Sequence, residues 1–315
     1  MTKLAMIFPG QGSQHPGMGR AACEVFPEAR RVFEEADRVL GFSLSRLCFE
    51  GPEDDLKLTQ NTQPALLATS LALYQVLEAR GVRPDFVAGH SLGEYSALVA
   101  AGSLGFADAL PLVRRRGQYM QEAVPAGLGA MAAVLGLEPS GVEAACREAS
   151  RGEEVVEAAN FNGPGQVVIA GHASAVARGS EIAKAKGAKR VIALPVSAPF
   201  HCRLMQPAAA RLAKDLEATS FRDLTTPLVT NVDARPVQSG AEARAALVRQ
   251  VASPVRWEES VERLLSEGVD SFLEVGPGNV LTGLVRKIAN QARATSVSEP
   301  EGVAKFLTEF SPSRK

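Results

Sequence analysis

A serine set between two glycines, Gly89-His90-Ser91-Leu92-Gly93, is the pattern in this chain best suited to covalent chemistry. It follows a short apolar run, Phe86-Val87-Ala88, and precedes a helical stretch, Glu94 to Ala101. That is the strand, sharp turn and helix of a nucleophile elbow, which holds a serine Oγ up at the end of a sheet. Gly89 and Gly93 lack a Cβ, so the backbone can turn tightly and pack closely, and the helix N-terminus favours developing negative charge. Serine at its ordinary pKa is a weak nucleophile and needs a base, most often histidine. The chain has 4 histidines, His15, His90, His172 and His201. His90 adjoins Ser91 in a turn where neighbouring side chains diverge, which suits a structural hydrogen bonder. His15 in a glycine-rich loop and His172 at a strand end read as satisfied loop residues. His201, behind Pro199-Phe200, is the expected base. No histidine follows it, which is awkward for the hydrolase order of serine, acid and late histidine. A backbone carbonyl on Nδ1–H can orient an imidazole in place of an acid.

A second candidate lies in Arg114-Arg115-Arg116. Residues three and four away from Arg116 are Leu112, Val113, Tyr119 and Met120, so helical spacing turns Arg116 toward an apolar face and leaves Arg114 and Arg115 to water. A buried guanidinium needs an anion. From spacing alone the simpler reading is a structural salt bridge to an aspartate or glutamate, with a bound anionic substrate as the alternative.

These residues need a frame. Leu4 to Phe8 reads as a strand buried on both faces and runs into the loop Pro9-Gly10-Gln11-Gly12-Ser13-Gln14. Gly10, Gly12 and Gly17 do not make G-x-G-x-x-G, so no dinucleotide site is read there. Helices are expected around 28–40, 63–79 and 106–124. From 125 the pattern becomes strand 129–135, helix 139–149, strands 155–160 and 166–170, helix 174–186 and strand 191–196. That βαββαβ order belongs to a ferredoxin-like unit. The expected architecture is therefore α/β, with 1–124 and 197–315 forming a large catalytic domain and 125–196 an inserted subdomain. The cleft between them is the expected binding site. A strand 228–231, helices 241–251 and 257–265, a strand 271–275 leading into Gly276-Pro277-Gly278, a helix 280–289 and one short terminal helix complete the chain.

Composition narrows the function classes. With 315 residues and a net charge of -1, the chain has no global field directed at nucleic acid or an anionic membrane. An acidic partner would need a local patch, for which Lys184, Lys186, Lys189 and Arg190 are candidates against the simpler reading of a solvated face. The apolar run near the N-terminus is too short for a signal segment or a span. The 4 cysteines have neither CxxC pairing nor tight spacing, so no metal site or disulfide framework is expected and a reducing cytoplasm is.

Taken together, Phe8-Pro9-Gly10-Gln11-Gly12-Ser13-Gln14, Gly89-His90-Ser91-Leu92-Gly93-Glu94, Arg116-Gly117, Ala198-Pro199-Phe200-His201 and Glu274-Val275-Gly276-Pro277-Gly278 resemble the malonyl-CoA:acyl carrier protein transacylases and the wider acyltransferase domains of fatty acid and polyketide synthesis. The resemblance covers nearly the whole chain. It implies an α/β-hydrolase-like core with an inserted ferredoxin-like subdomain, and no cofactor, since coenzyme A and phosphopantetheine enter as parts of substrates. Ser91 becomes the acylated nucleophile, His201 the base and Arg116 the clamp on the malonyl carboxylate. The oxyanion hole falls to the backbone N–H groups of Gln11 and Leu92, and Gln250 orients His201 through its main-chain carbonyl, leaving its side chain less important. Phe200 matches malonyl-preferring members, and Ser197-Ala198-Pro199 departs mildly from the commoner forms. The implied partners are malonyl-CoA and acyl carrier protein. A serine hydrolase and a non-catalytic acyl-CoA or carrier-binding module are the rivals. A stable acyl-enzyme speaks against the first and release of coenzyme A against the second.

Overall fold

A computed structural model describes residues 2–125, 127–196 and 198–309. Ser197, in the segment that departs mildly from the commoner forms, lies outside them. A six-stranded sheet is built from β1 (Lys3–Phe8), β2 (Phe86–Gly89), β7 (Leu228–Val229), β8 (Pro236–Val237), β10 (Val269–Val275) and β11 (Arg293–Val297), in the order β11-β10-β1-β2-β7-β8. All neighbours are parallel except β7 and β8. The central strand β1 has helices on both faces, so Leu4 to Phe8 are buried without alternation, as expected of a doubly covered parallel strand. The helix Thr59–Ala79 is buried almost all round because it packs between the sheet and the helix Phe106–Glu122.

A second sheet comprises β3 (Gly129–Leu135), β4 (Val156–Gly163), β5 (Gln166–His172), β6 (Arg190–Ala193) and β9 (Val255–Arg256), in the order β6-β3-β5-β4-β9. Its first four strands are antiparallel and, with helices Pro139–Ala149 and Ala173–Ala185, give the βαββαβ succession read from the sequence. Its own core is the cluster of Val134, Val142, Val167 and Ile169. The fifth strand was not expected: β9 comes from the later part of the chain and pairs in parallel with β4 at Asn160 and Phe161. The sequence reading also lacked β11, which is short and half exposed at the sheet edge and so carries little apolar signal. The strand expected over 155–160 runs on to Gly163.

Parallel pairing sets where the functional loops meet. Phe8 of β1 is in register with Gly89 of β2, so the loop after Phe8 and the turn after Gly89 leave the same sheet edge side by side. A Cβ at Gly10 would fall 2.5 Å from the His90 carbonyl oxygen, which measures how tightly the two turns abut. The loop after β10 packs there too, with Gly276 against Ser70 and Pro9. That is a plain strand-to-helix turn: Glu274 accepts the N–H groups of Leu281 and Thr282 at the start of the helix Val280–Ile288.

Candidate functional site

Ser91 stands between Gly89 of β2 and the helix Leu92–Ala100, with φ 52° and ψ -101°. A non-glycine residue held there stores strain on the order of 1–3 kcal/mol, which the surroundings must over-determine. Its N–H donates to Asn231 Oδ1 at 2.7 Å and its carbonyl accepts from Gln250 Nε2 at 2.9 Å. Asn231 is fixed in turn by donating from Nδ2 to the Gly89 carbonyl at 2.7 Å. The two elbow glycines are sterically required, since a Cβ on Gly89 would sit 2.0 Å from Gly93 O and one on Gly93 2.0 Å from Phe8 O.

His201 also has a left-handed backbone, with φ 59°. Its Nε2 lies 2.7 Å from Ser91 Oγ and its Nδ1 lies 3.0 Å from the Gln250 carbonyl. A carbonyl can only accept, so Nδ1 carries the proton and Nε2 is left as the base toward serine. Burial, reinforced by the neighbouring Arg116 cation, pushes the imidazole down to about 3.

Arg116 is 1% exposed, as its helical neighbours implied. Arg115 and Arg114 are turned away: Arg115 pairs with Asp215 and Arg114 lies over the Phe42 ring. Arg116 Nη1 donates to Gln63 Oε1 at 2.8 Å, and Nη2 donates to Gln250 Oε1 at 2.9 Å and to Ser91 Oγ at 3.0 Å. Among the described residues no carboxylate forms an ion pair with it, and its Nε has no partner. This corrects the reading that spacing favours: among the described residues Arg116 makes no internal salt bridge, because its Nη atoms meet Gln63, Gln250 and Ser91 instead. The guanidinium is held by neutral acceptors and by the Tyr95 ring face, 5.4 Å away.

Gln11, Ser91, Leu92, Arg116, Phe200 and His201 line one cavity of about 120 Å³. Leu92 is the first residue of its helix, so its N–H has no acceptor within that helix. Gln250 is behind the wall and buried. The sequence reading gave weight only to its carbonyl, but its side chain bridges Arg116, the Ser91 carbonyl and Glu94, so its identity matters. The other histidines do as expected: His90 Nε2 contacts Asn162 Oδ1 at 2.9 Å, His172 Nδ1 accepts from the Val155 N–H, and His15 faces solvent at Pro16 O. In the candidate basic patch, Lys184 and Lys186 are balanced by Glu181 and Glu148.

Gln63, Asn231 and Glu94 were not read as site residues. Glu94, the one charge between Leu92 and Ala101, offered a local signal, whereas Gln63 follows the polar run 59–62 and Asn231 follows Thr230, so neither stood out. All four cysteines are free and buried. Among the described residues no helix is long and apolar enough to cross a membrane.

The family described as "Acyl transferase domain" matches residues 5–308. The malonyl CoA-acyl carrier protein transacylase of Bacillus subtilis (strain 168) is 50% identical over 303 residues, covering 96% of each chain. That of Escherichia coli (strain K12) is 50% identical over 308 residues, covering 98% of this chain and 99% of the other. A solved complex of a type II PKS acyl-carrier protein with its malonyl-transacylase superposes with a TM-score of 0.96 at 48% identity, covering 98% of this chain and 100% of that one. An acyl carrier protein S-malonyltransferase from Vibrio cholerae O1 gives 0.94 at 47%, covering 96% and 99%. With one family spanning nearly its whole length and relatives at half identity, this chain belongs to the acyl transferase family and, within it, to the malonyl CoA-acyl carrier protein transacylases.

Proposed function

We propose that the chain carries a malonyl group from malonyl-CoA to the phosphopantetheine thiol of acyl carrier protein through an ester on Ser91. The observation that carries this reading is the buried Arg116 guanidinium, 3.0 Å from Ser91 Oγ, with no described carboxylate within ion-pair distance and only the more remote charge of Glu94 acting on it. A carboxylated acyl group entering the cavity supplies the missing anion in two-point geometry.

His201 Nε2 takes the Ser91 proton as Oγ bonds to the thioester carbon. The oxyanion is held by the backbone N–H groups of Leu92 and Gln11. Collapse expels the coenzyme A thiolate, which receives the proton from the imidazolium. The pantetheine thiol then gives its proton to His201, attacks the ester and releases Ser91, which recovers its proton. Thioester is exchanged for thioester, so the two half-reactions are near balance. Nucleophile, base and oxyanion donors are all protein groups, so the chemistry calls for no cofactor.

The same reading assigns 125–196 as an inserted subdomain forming one cleft wall, with 1–124 and 197–315 as the catalytic domain. Support comes from the separate core of the four antiparallel strands. Fatty acid synthesis is the proposed pathway and the cytoplasm the proposed compartment, which suits four buried free thiols.

The test is incubation with malonyl-CoA in the absence of carrier protein. One malonyl adduct on the peptide containing Gly89 to Gly93, absent in Ser91→Ala, is the expected result. Label on another residue, or rapid hydrolysis with no adduct, would defeat the reading.

A further inference from the structure

Glu94 is fully buried in the first turn of the helix Leu92–Ala100, and it does not line the cavity. Its Oε2 accepts from Gln250 Nε2 at 2.7 Å and from the Asn231 N–H at 3.2 Å, while Oε1 has no partner. A carboxylate kept in the core with half its acceptor capacity unused is costly.

What it accomplishes is visible in Gln250, whose amide has two unlike ends. The oxygen faces Arg116 Nη2 at 2.9 Å, and the nitrogen faces the Ser91 carbonyl at 2.9 Å and Glu94 Oε2 at 2.7 Å. Turned over, the amide would set N–H against guanidinium N–H and oxygen against two acceptors. Glu94 and the Ser91 carbonyl therefore select the orientation that gives Arg116 an acceptor.

We propose that Glu94 is a positioning residue for malonyl transfer: by accepting from Gln250 it locks that amide with its oxygen toward Arg116, and so holds the guanidinium beside Ser91 for a carboxylated acyl group. This role rests on the reading of Ser91 and Arg116 given above. Glu94 acts through Gln250 and does not meet the substrate. A neutral side chain of the same length can do the same, because the acceptor and not the charge is what Gln250 uses. Burial already pushes the Glu94 carboxyl up to about 7, and its protonated form keeps a carbonyl acceptor.

Two variants separate reach from charge. Glu94→Gln supplies an acceptor at the same distance without charge. Glu94→Asp keeps the charge but withdraws it by one bond, ~1.5 Å. Both are measured for kcat/KM with malonyl-CoA and acetyl-CoA, carrier protein as acceptor, well below each melting point. Glu94→Asp is expected to lower the malonyl-to-acetyl ratio about tenfold, the size of one lost hydrogen bond. Glu94→Gln is expected to keep the ratio within about threefold of the parent, since the amide oxygen replaces the carboxylate. An unchanged ratio in Glu94→Asp overturns the proposal, because a merely structural carboxylate lowers both activities together. A ratio in Glu94→Gln as low as in Glu94→Asp overturns it as well. Should Glu94→Asp not fold, Gln250→Leu decides: the ratio must fall about tenfold or more, and an intact ratio refutes the proposal. A parent enzyme without a malonyl-Ser91 adduct would instead overturn the site reading itself.

Discussion

Arg116 Nη2 and Ser91 Oγ lie 3.0 Å apart, so under the proposed reading the cation that meets the acyl group's far end is built against the atom that takes up its near end. This bond tethers the hydroxyl. A malonyl carboxylate that drew the guanidinium to itself would leave Ser91 to His201.

Arg116→Ala should therefore change the substrate preference rather than abolish chemistry. Malonyl transfer is expected to fall by roughly one to two decades, from a hydrogen bond to a charged group of about 1.5–3 kcal/mol. Acetyl transfer is expected to be spared or improved, since no buried cation is left unpaired when acetyl occupies the cavity. Paired kcat/KM measurements decide, and a parallel fall in both would contradict the clamp.

Asn231→Ala offers the opposite signature. It removes the acceptor of the Ser91 N–H and the donor to the Gly89 carbonyl, so the strained elbow loses its restraint for every acyl group. Stability should drop by about 1–3 kcal/mol, with malonyl and acetyl transfer falling together. Denaturant unfolding and the two rates test this, and a selective loss of malonyl transfer would place Asn231 with Arg116 instead.

The pH dependence of acylation follows from His201. Its folded pKa of about 3 is depressed from the ordinary value of 6.5, so the imidazole stays neutral and competent as base throughout pH 5 to 8. For stability the same depression favours the fold above pH 6.5, and that contribution is lost as pH falls through 3. Rapid-quench formation of malonyl-Ser91 should show no half-loss centred near 6.5. Glu94 titrates near 7, so the profile is repeated in Glu94→Gln, and a half-loss near 6.5 persisting there would show an ordinary imidazole.

Gly93→Ala should be among the most damaging single methyl additions. The new Cβ would meet the Phe8 carbonyl oxygen at 2.0 Å, and backbone on both sides has no room to yield. A cost of about 1–3 kcal/mol or more is expected in thermal or denaturant unfolding, with activity lost beyond the stability effect because Ser91 shifts. Near-parental stability would show the elbow to be more pliant than its packing implies.

That Ser91, His201 and Arg116 come together was legible because each carries a local signature: glycines bracketing a serine, a histidine after Pro199-Phe200, and a cation on an apolar helical face. The βαββαβ unit was legible from the alternation of its elements, and the helix Pro139–Ala149 fell at its expected bounds. What escaped was non-local. Glu94, Asn231 and the side chain of Gln250 acquire meaning only when residues more than a hundred positions apart meet, as Gln250 and Glu94 do, and Gln63 only when it meets Arg116, 53 positions on. The strand β9 escaped for the same reason, since two residues carry no periodicity and their pairing with β4 is a tertiary event.

That short strand has a mechanical consequence. It follows Gln250 by a few residues, and Gln250 carries the carbonyl that aims His201. The His90–Asn162 contact ties the same two walls at another point. Any swing of the antiparallel sheet away from the parallel one would pull on the chain that carries the base's anchor. The spacing of the two sheets and the aim of the His201 imidazole are thereby coupled through one short stretch of backbone.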